Sequence, residues 1–241
     1  MFHPCHTSKM LRLVSNACLK TGILALVVFQ CGQAAPQSSG DQNGASEKFA
    51  RILILPVVNM SEIHGQNASL RGPLSGEVFV TDEVAPKAAD FMGATFRNRL
   101  MRLEQVELVE PSTAAITARV GVAPLQGPRE GRIAAIQEAG RQKGADSVFC
   151  TYLYAFRKRV GTAYGVDAPA MISFESVLVS VATGRLIWQD SYSETQQTLN
   201  DNLLRIDKFM ERRGRWITAE EMASQAVDKM MENFSAGLRK K

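Results

Sequence analysis

The chain has 241 residues, 45% of them hydrophobic and 22% charged, a globular balance that excludes intrinsic disorder, collagen and a multi-span membrane protein. Its formal charge is +4, but Lys9, Arg12 and Lys20 stand in the first 30 residues without an acid, so the remainder is close to neutral and its charge points to no nucleic-acid partner. Three of the four cysteines lie at or before position 31, which excludes a disulfide-dense scaffold.

Residues 1–30 have the parts of an export signal: a basic start, the apolar run Gly22 to Phe29, then small and polar residues. The apolar run is too short to span a bilayer, which takes about 20 residues. Cys31 directly follows this segment, and Gln33 to Ser46 is rich in Gln, Ser, Gly, Ala and Asp, the composition of a flexible tether. Cys31 therefore reads as a lipidated amino terminus at the head of a tether over residues 31–49. Gln30 stands where a lipidation motif has a small residue, and cleavage after Ala34 with secretion to the periplasm is the alternative. A single periplasmic domain over residues 50–238 follows.

Within it, the apolar run Arg51 to Asn59 predicts a strand covered on both faces. Met60 to Gly76 predicts a long loop, with a short strand over Glu77 to Val80. Pro86 is expected to open a helix, Asp82 and Glu83 lying near its positive end. Its stripe is Ala88, Met92, Phe96, Leu100 and Leu103. Val106 to Glu110 reads as a strand and Ser112 to Arg119 as a short helix. Arg132 to Lys143 reads as a helix stopped by Gly144. Ser147 to Phe156, Ala170 to Val181 and Arg185 to Thr195 are strands, the last two joined at Thr183-Gly184. Two helices close the chain. The second starts with a Thr218/Glu221 capping box, carries Met222, Ala226, Met230 and Phe234 as its stripe, and ends at Gly237. The fold class is α/β: a mixed sheet, parallel where helices join the strands and an antiparallel meander where turns do, with helices packed on it.

Cys31, the tether, the strand Arg51-Ile-Leu-Ile-Leu-Pro-Val57 and the hairpin Val179-Ser-Val-Ala-Thr-Gly-Arg-Leu-Ile-Trp188 resemble those of bacterial envelope lipoproteins of the curli-secretion and penicillin-binding-protein-activator type, and of the TolB amino-terminal domain. The resemblance covers roughly Arg51 to Thr195. It implies a lipid-anchored adaptor or assembly factor on the periplasmic face of the outer membrane, working through envelope proteins and not as an enzyme. Gly32 fits that address, since an Asp after the Cys would retain the protein at the inner membrane.

Residues with catalytic potential are sparse. Beyond the leader the only histidine is His64, in a polar stretch that favours a solvated side chain. Cys150 alternates with Val148 and Tyr152 and reads as a small core residue. No phosphate-binding glycine motif stands in the sequence, and no cofactor or metal is expected. Two basic-aromatic segments are the candidate contact residues: Arg157 and Arg159 with Tyr164 and Asp167 in the loop after them, and Arg212, Arg213, Arg215 and Trp216. They suit an envelope protein, with cell-wall polymer as a further partner. The alternative is a small-ligand site or enzyme built on Tyr164 and Asp167.

Lipidation predicts an acylated mature terminus at Cys31, measurable by intact mass, and loss of outer-membrane attachment in Cys31→Ser. An unmodified terminus at Ala35 would contradict it.

Overall fold

The computed structural model describes residues 51–111, 127–161, 166–196 and 217–239. The expected leader and tether, the helix expected over Ser112 to Arg119 and the expected first closing helix fall outside them. In chain order the elements are β1 (Arg51–Ile54), β2 (Val58–Asn59), α1 (Met60–His64), β3 (Ser69–Arg71), β4 (Val78–Val80), α2 (Ala88–Leu100), β5 (Glu107–Val109), α3 (Arg129–Gln142), β6 (Ser147–Arg157), β7 (Val160–Gly161), β8 (Val166–Ala168), β9 (Met171–Ser180), β10 (Leu186–Thr195) and α4 (Ala219–Arg239).

The sheet is mixed, as its connections predict. Its order is β10-β9-β6-β1-β5, with β1 parallel to both β5 and β6 and with β6, β9 and β10 antiparallel in turn. The Thr183-Gly184 turn joins β9 to β10, Gly184 at φ +70° donating its N–H to Ser180 O at 2.9 Å. Every residue of β6 from Ser147 to Phe156 is buried, so its backbone polar groups need protein partners on both edges. One edge is β9. The other is completed by three successive segments. β1 pairs from Ser147 to Phe149, and β2 pairs at Tyr152 and Leu153. Beyond them, Asp82 N–H reaches Tyr154 O at 3.0 Å and Ala85 N–H reaches Phe156 O at 2.9 Å.

This relay explains where the structure departs from the sequence expectations. The strand predicted over Arg51 to Asn59 is two strands, because Pro56 has no N–H for the ladder and pairing resumes only at Val58. The expected loop over Met60 to Gly76 contains α1, capped by Asn59 Oδ1 on Glu62 N–H at 3.2 Å, and β3, which pairs with β4. Each is too short for periodicity to reveal. Asp82 and Glu83 do not serve the start of α2. They lie on the β6 edge, and the residue capping α2 is Lys87, at φ +63° with no side-chain cap.

Two cores lie on the two sheet faces. On the first, α2 and α4 cover Ile52, Ile54, Phe149, Leu153, Phe156, Ile172, Phe174 and Leu178. On the second, α3 and the β3–β4 hairpin cover Leu53, Val148, Cys150, Tyr152, Tyr154, Val177 and Val179. A bulge between Leu153 and Ala155 shifts the alternation, so that Phe156 returns to the first core while Tyr154 points into the second. The α4 start is as predicted: Glu221 N–H donates to Thr218 Oγ1 at 3.1 Å, and Thr218 N–H to Glu221 Oε2 at 2.9 Å. Gly237 does not end α4, which continues to Arg239. It lies against Trp188, where a Cβ would sit in ordinary contact at 3.8 Å.

Trp188 pairs with Leu178 on β9 and is half-buried, stacked on Phe149 at 5.9 Å and edge-on to Phe234 at 5.0 Å. Phe234, fully buried, is expected to cost about 3–5 kcal/mol when changed to Ala, and half-buried Trp188 less. A denaturant melt measures both. Equal costs would show that Trp188 is as enclosed as Phe234.

Candidate functional site

The described flanks of the candidate contact segments lie at one end of the sheet. β6 and β10 finish there and β9 begins there. The β7–β8 hairpin joins β6 to β9 at this end and carries Asp167 in the middle of β8; Tyr164 lies outside the described residues. Arg212, Arg213, Arg215 and Trp216 also lie outside them, but both flanks of their segment are fixed. Gln196, buried at the end of β10, orients its amide so that N donates to Ile217 O at 3.2 Å and O accepts from Ile217 N–H at 3.0 Å. The two described flanks of that segment thus meet at one clasp. Lys158 Nζ meets Glu220 Oε1 at 2.8 Å, which ties the basic end of β6 to the start of α4. Arg51, the first described residue, pairs at the opposite end of the sheet.

Arg157 is committed inside the fold. Its Nη1 donates to Asp82 Oδ2 at 2.8 Å and its Nε to Pro169 O at 3.2 Å, so it fixes the last segment of the β6 edge to the strand end. Arg159 is half-buried beside it. His64 is exposed in the last turn of α1.

Sequence reasoning missed Glu175. It stands on β9 between Phe174 and Ser176, 1% exposed, on the second face of the sheet. Ser75 Oγ donates to its Oε2 and Tyr154 O–H to its Oε1 at 2.7 Å. The signal was present, a lone acid inside an apolar strand. Burial pushes its pKa above the usual carboxylate range, against the hydrogen bonds from Ser75 and Tyr154 and with a further push from the Glu77 charge. Gly72 is required beside it, since a Cβ there would lie 2.6 Å from both carboxylate oxygens. Burial raises the Tyr152 and Tyr154 hydroxyls as well, and it lifts the Cys150 thiol to about 12, with Glu175 adding to the shift.

A cleft of about 580 Å³ lies between α1 and the start of α2, lined by Pro56, Val58, Ile63, Val84, Lys87 and Asp90 among others. Its size suits a small ligand, and the described Arg157 and Arg159 are not among its lining residues. Among the described residues no group of three or more His, Cys, Asp or Glu could hold a metal, and no helix is long and apolar enough to cross a membrane.

No protein-family model and no curated protein matches the sequence. Solved structures do. The PelC dodecamer from Paraburkholderia phytofirmans is 11% identical, with 80% of this chain and 88% of that one covered, at a TM-score of 0.43. Lipoprotein GNA1162 from Neisseria meningitidis is 14% identical over 68% of this chain and 96% of that one, at 0.36. The LpoB C-terminal domain from Escherichia coli is 19% identical over 61% and 84%, at 0.32. At these identities and scores none of them assigns the chain to a family.

A thiol whose pKa is about 12 is about one part in ten thousand thiolate at pH 8, and the thiolate is the reactive form. Alkylation of the native protein at pH 8 is therefore expected to leave the Cys150 peptide unmodified until denaturant is added. Rapid native labelling would contradict its burial.

Proposed function

We propose that the protein is a lipid-anchored periplasmic adaptor or assembly lipoprotein of the bacterial envelope, placed at the outer membrane by Cys31 and acting through contacts with other envelope proteins. The leader, Cys31 and the tether support the anchor. The observation that supports the contact reading is that the described flanks of both candidate segments lie at the end of the sheet opposite Arg51. An anchor entering at one end and a recognition surface at the other do not compete for the same surface. Arg212, Arg213, Arg215 and Trp216, reinforced by Arg159, Tyr164 and Asp167, are the contact residues of this reading. Arg and Trp are the types enriched where binding energy concentrates. Arg157 is held by Asp82 and Pro169, which takes one cation away from the small-ligand alternative on Tyr164 and Asp167.

Affinity purification of the full-length protein from cross-linked envelopes, with partner identification by mass spectrometry, tests the reading. Arg215→Ala with Trp216→Ala is expected to lower partner recovery at least tenfold, about 1.4 kcal/mol of binding, at an unchanged melting temperature. Lost stability with recovery intact would make this segment a structural part of the fold only.

A further inference from the structure

The β3–β4 hairpin and the turn Gly72 to Glu77 at its tip form a strap across the second face of the sheet. At the hairpin base, Asn67 N–H reaches Thr81 O at 2.8 Å and Thr81 N–H reaches Ala68 O at 2.9 Å. Phe79 stacks on Tyr154 at 4.2 Å and 5°. At the tip, α3 holds two turn carbonyls, with Arg132 Nε on Pro73 O at 2.9 Å and Arg129 Nε on Leu74 O at 3.0 Å. Glu77 Oε2 accepts from Ser191 Oγ of β10 at 2.8 Å. Directly beneath the tip, Ser75 bonds to Glu175.

This last attachment differs in kind. Glu175 is a carboxyl group enclosed by uncharged donors. The groups facing it are Tyr154, Tyr152 and Cys150 from β6, and Ser75 and Glu77 from the turn. Arg129 and Arg132, the α3 cations gripping the turn, make their hydrogen bonds to its carbonyls. The hydrogen bonds from Ser75 and Tyr154 favour the carboxylate, but burial outweighs them and shifts the balance toward the neutral carboxyl in this enclosure. A carboxylate in it is desolvated and repelled by the Glu77 charge, two residues from Ser75.

We propose that the β3–β4 hairpin is a proton-held strap: with Glu175 protonated the Gly72–Glu77 turn closes over the sheet, and loss of that proton lifts the turn and uncovers Leu74, Phe79 and the Tyr154 ring. Lifting returns Glu175 to water and to the ordinary carboxylate range near 4.5. The closed form binds its proton more tightly, so closure is fully favoured below that value and is lost as pH rises toward the elevated closed-state pKa. Between the two, opening becomes about tenfold more favourable per pH unit. The proposal stands on the geometry of the second face and is independent of the envelope assignment.

Amide hydrogen exchange on the full-length chain between pH 5 and pH 9, corrected for intrinsic rates, tests it. Protection at Gly72, Gly76 and Thr81 is expected to fall about tenfold per pH unit across part of this range, while β6 and α4 hold. In Glu175→Gln, neutral at every pH, it is expected to stay level. The proposal is overturned if wild-type strap protection does not change, if it falls equally in Glu175→Gln, or if β6 and α4 open with it. Should Glu175→Gln not fold, the wild-type ¹³C carboxyl titration of Glu175 decides. A midpoint that coincides with the loss of strap protection supports the strap, and a midpoint at the ordinary value overturns it.

Discussion

The burial of β6 on both faces is the constraint from which the rest of the architecture follows. Water cannot reach its N–H and C=O groups, so each must find a partner in the protein. β9 satisfies one edge along its whole length. The other edge is satisfied piecewise by β1, β2 and Asp82–Ala85, and between the second and third pieces the chain makes the excursion that becomes α1 and the β3–β4 hairpin. Pro56 makes the first interruption, and Arg157 pins the last piece through Asp82. The second core exists because that excursion folds back over the face of the sheet.

The same economy governs the polar side chains. Asp82, Arg157, Glu220 and Lys158 fasten segments to one another, and Glu175 fastens the hairpin turn to the sheet. Cys150 is sealed in the second core. At the far end of the sheet the Gln196–Ile217 clasp and the Lys158–Glu220 pair fix the flanks of the two candidate contact segments. The proposed recognition of other proteins at that end rests on where these flanks lie, opposite Arg51.

Much of the fold was legible wherever a long element buries one face or two. The stripes of α2 and α4, the Thr218/Glu221 box, the Thr183-Gly184 turn and the strands β6, β9 and β10 follow from periodicity and capping chemistry alone. Elements whose existence depends on tertiary pairing were not legible. β2 has two residues and α1 five, and β3 turns only Leu70 toward the core. None offers a period to read. Glu175 escaped for a related reason. An acid inside an apolar strand was visible, but its partner Ser75 lies in a hairpin turn that sequence read as a loop, and its partner Tyr154 is brought to it by the pairing of β6 with β9. The ends at which the candidate contact segments emerge were likewise invisible until strand order and direction placed them together.

Site-specific photo-cross-linking in intact cells tests the central claim, that recognition lies at the far end of the sheet. Val160, 56% exposed on β7, marks that end, and Met101, 57% exposed at the close of α2, marks the end where β5 pairs beside Arg51. A cross-linker at Val160 is expected to capture an envelope protein and one at Met101 to capture none. Capture from Met101 with silence at Val160 would place the partner at the entry end and contradict the account.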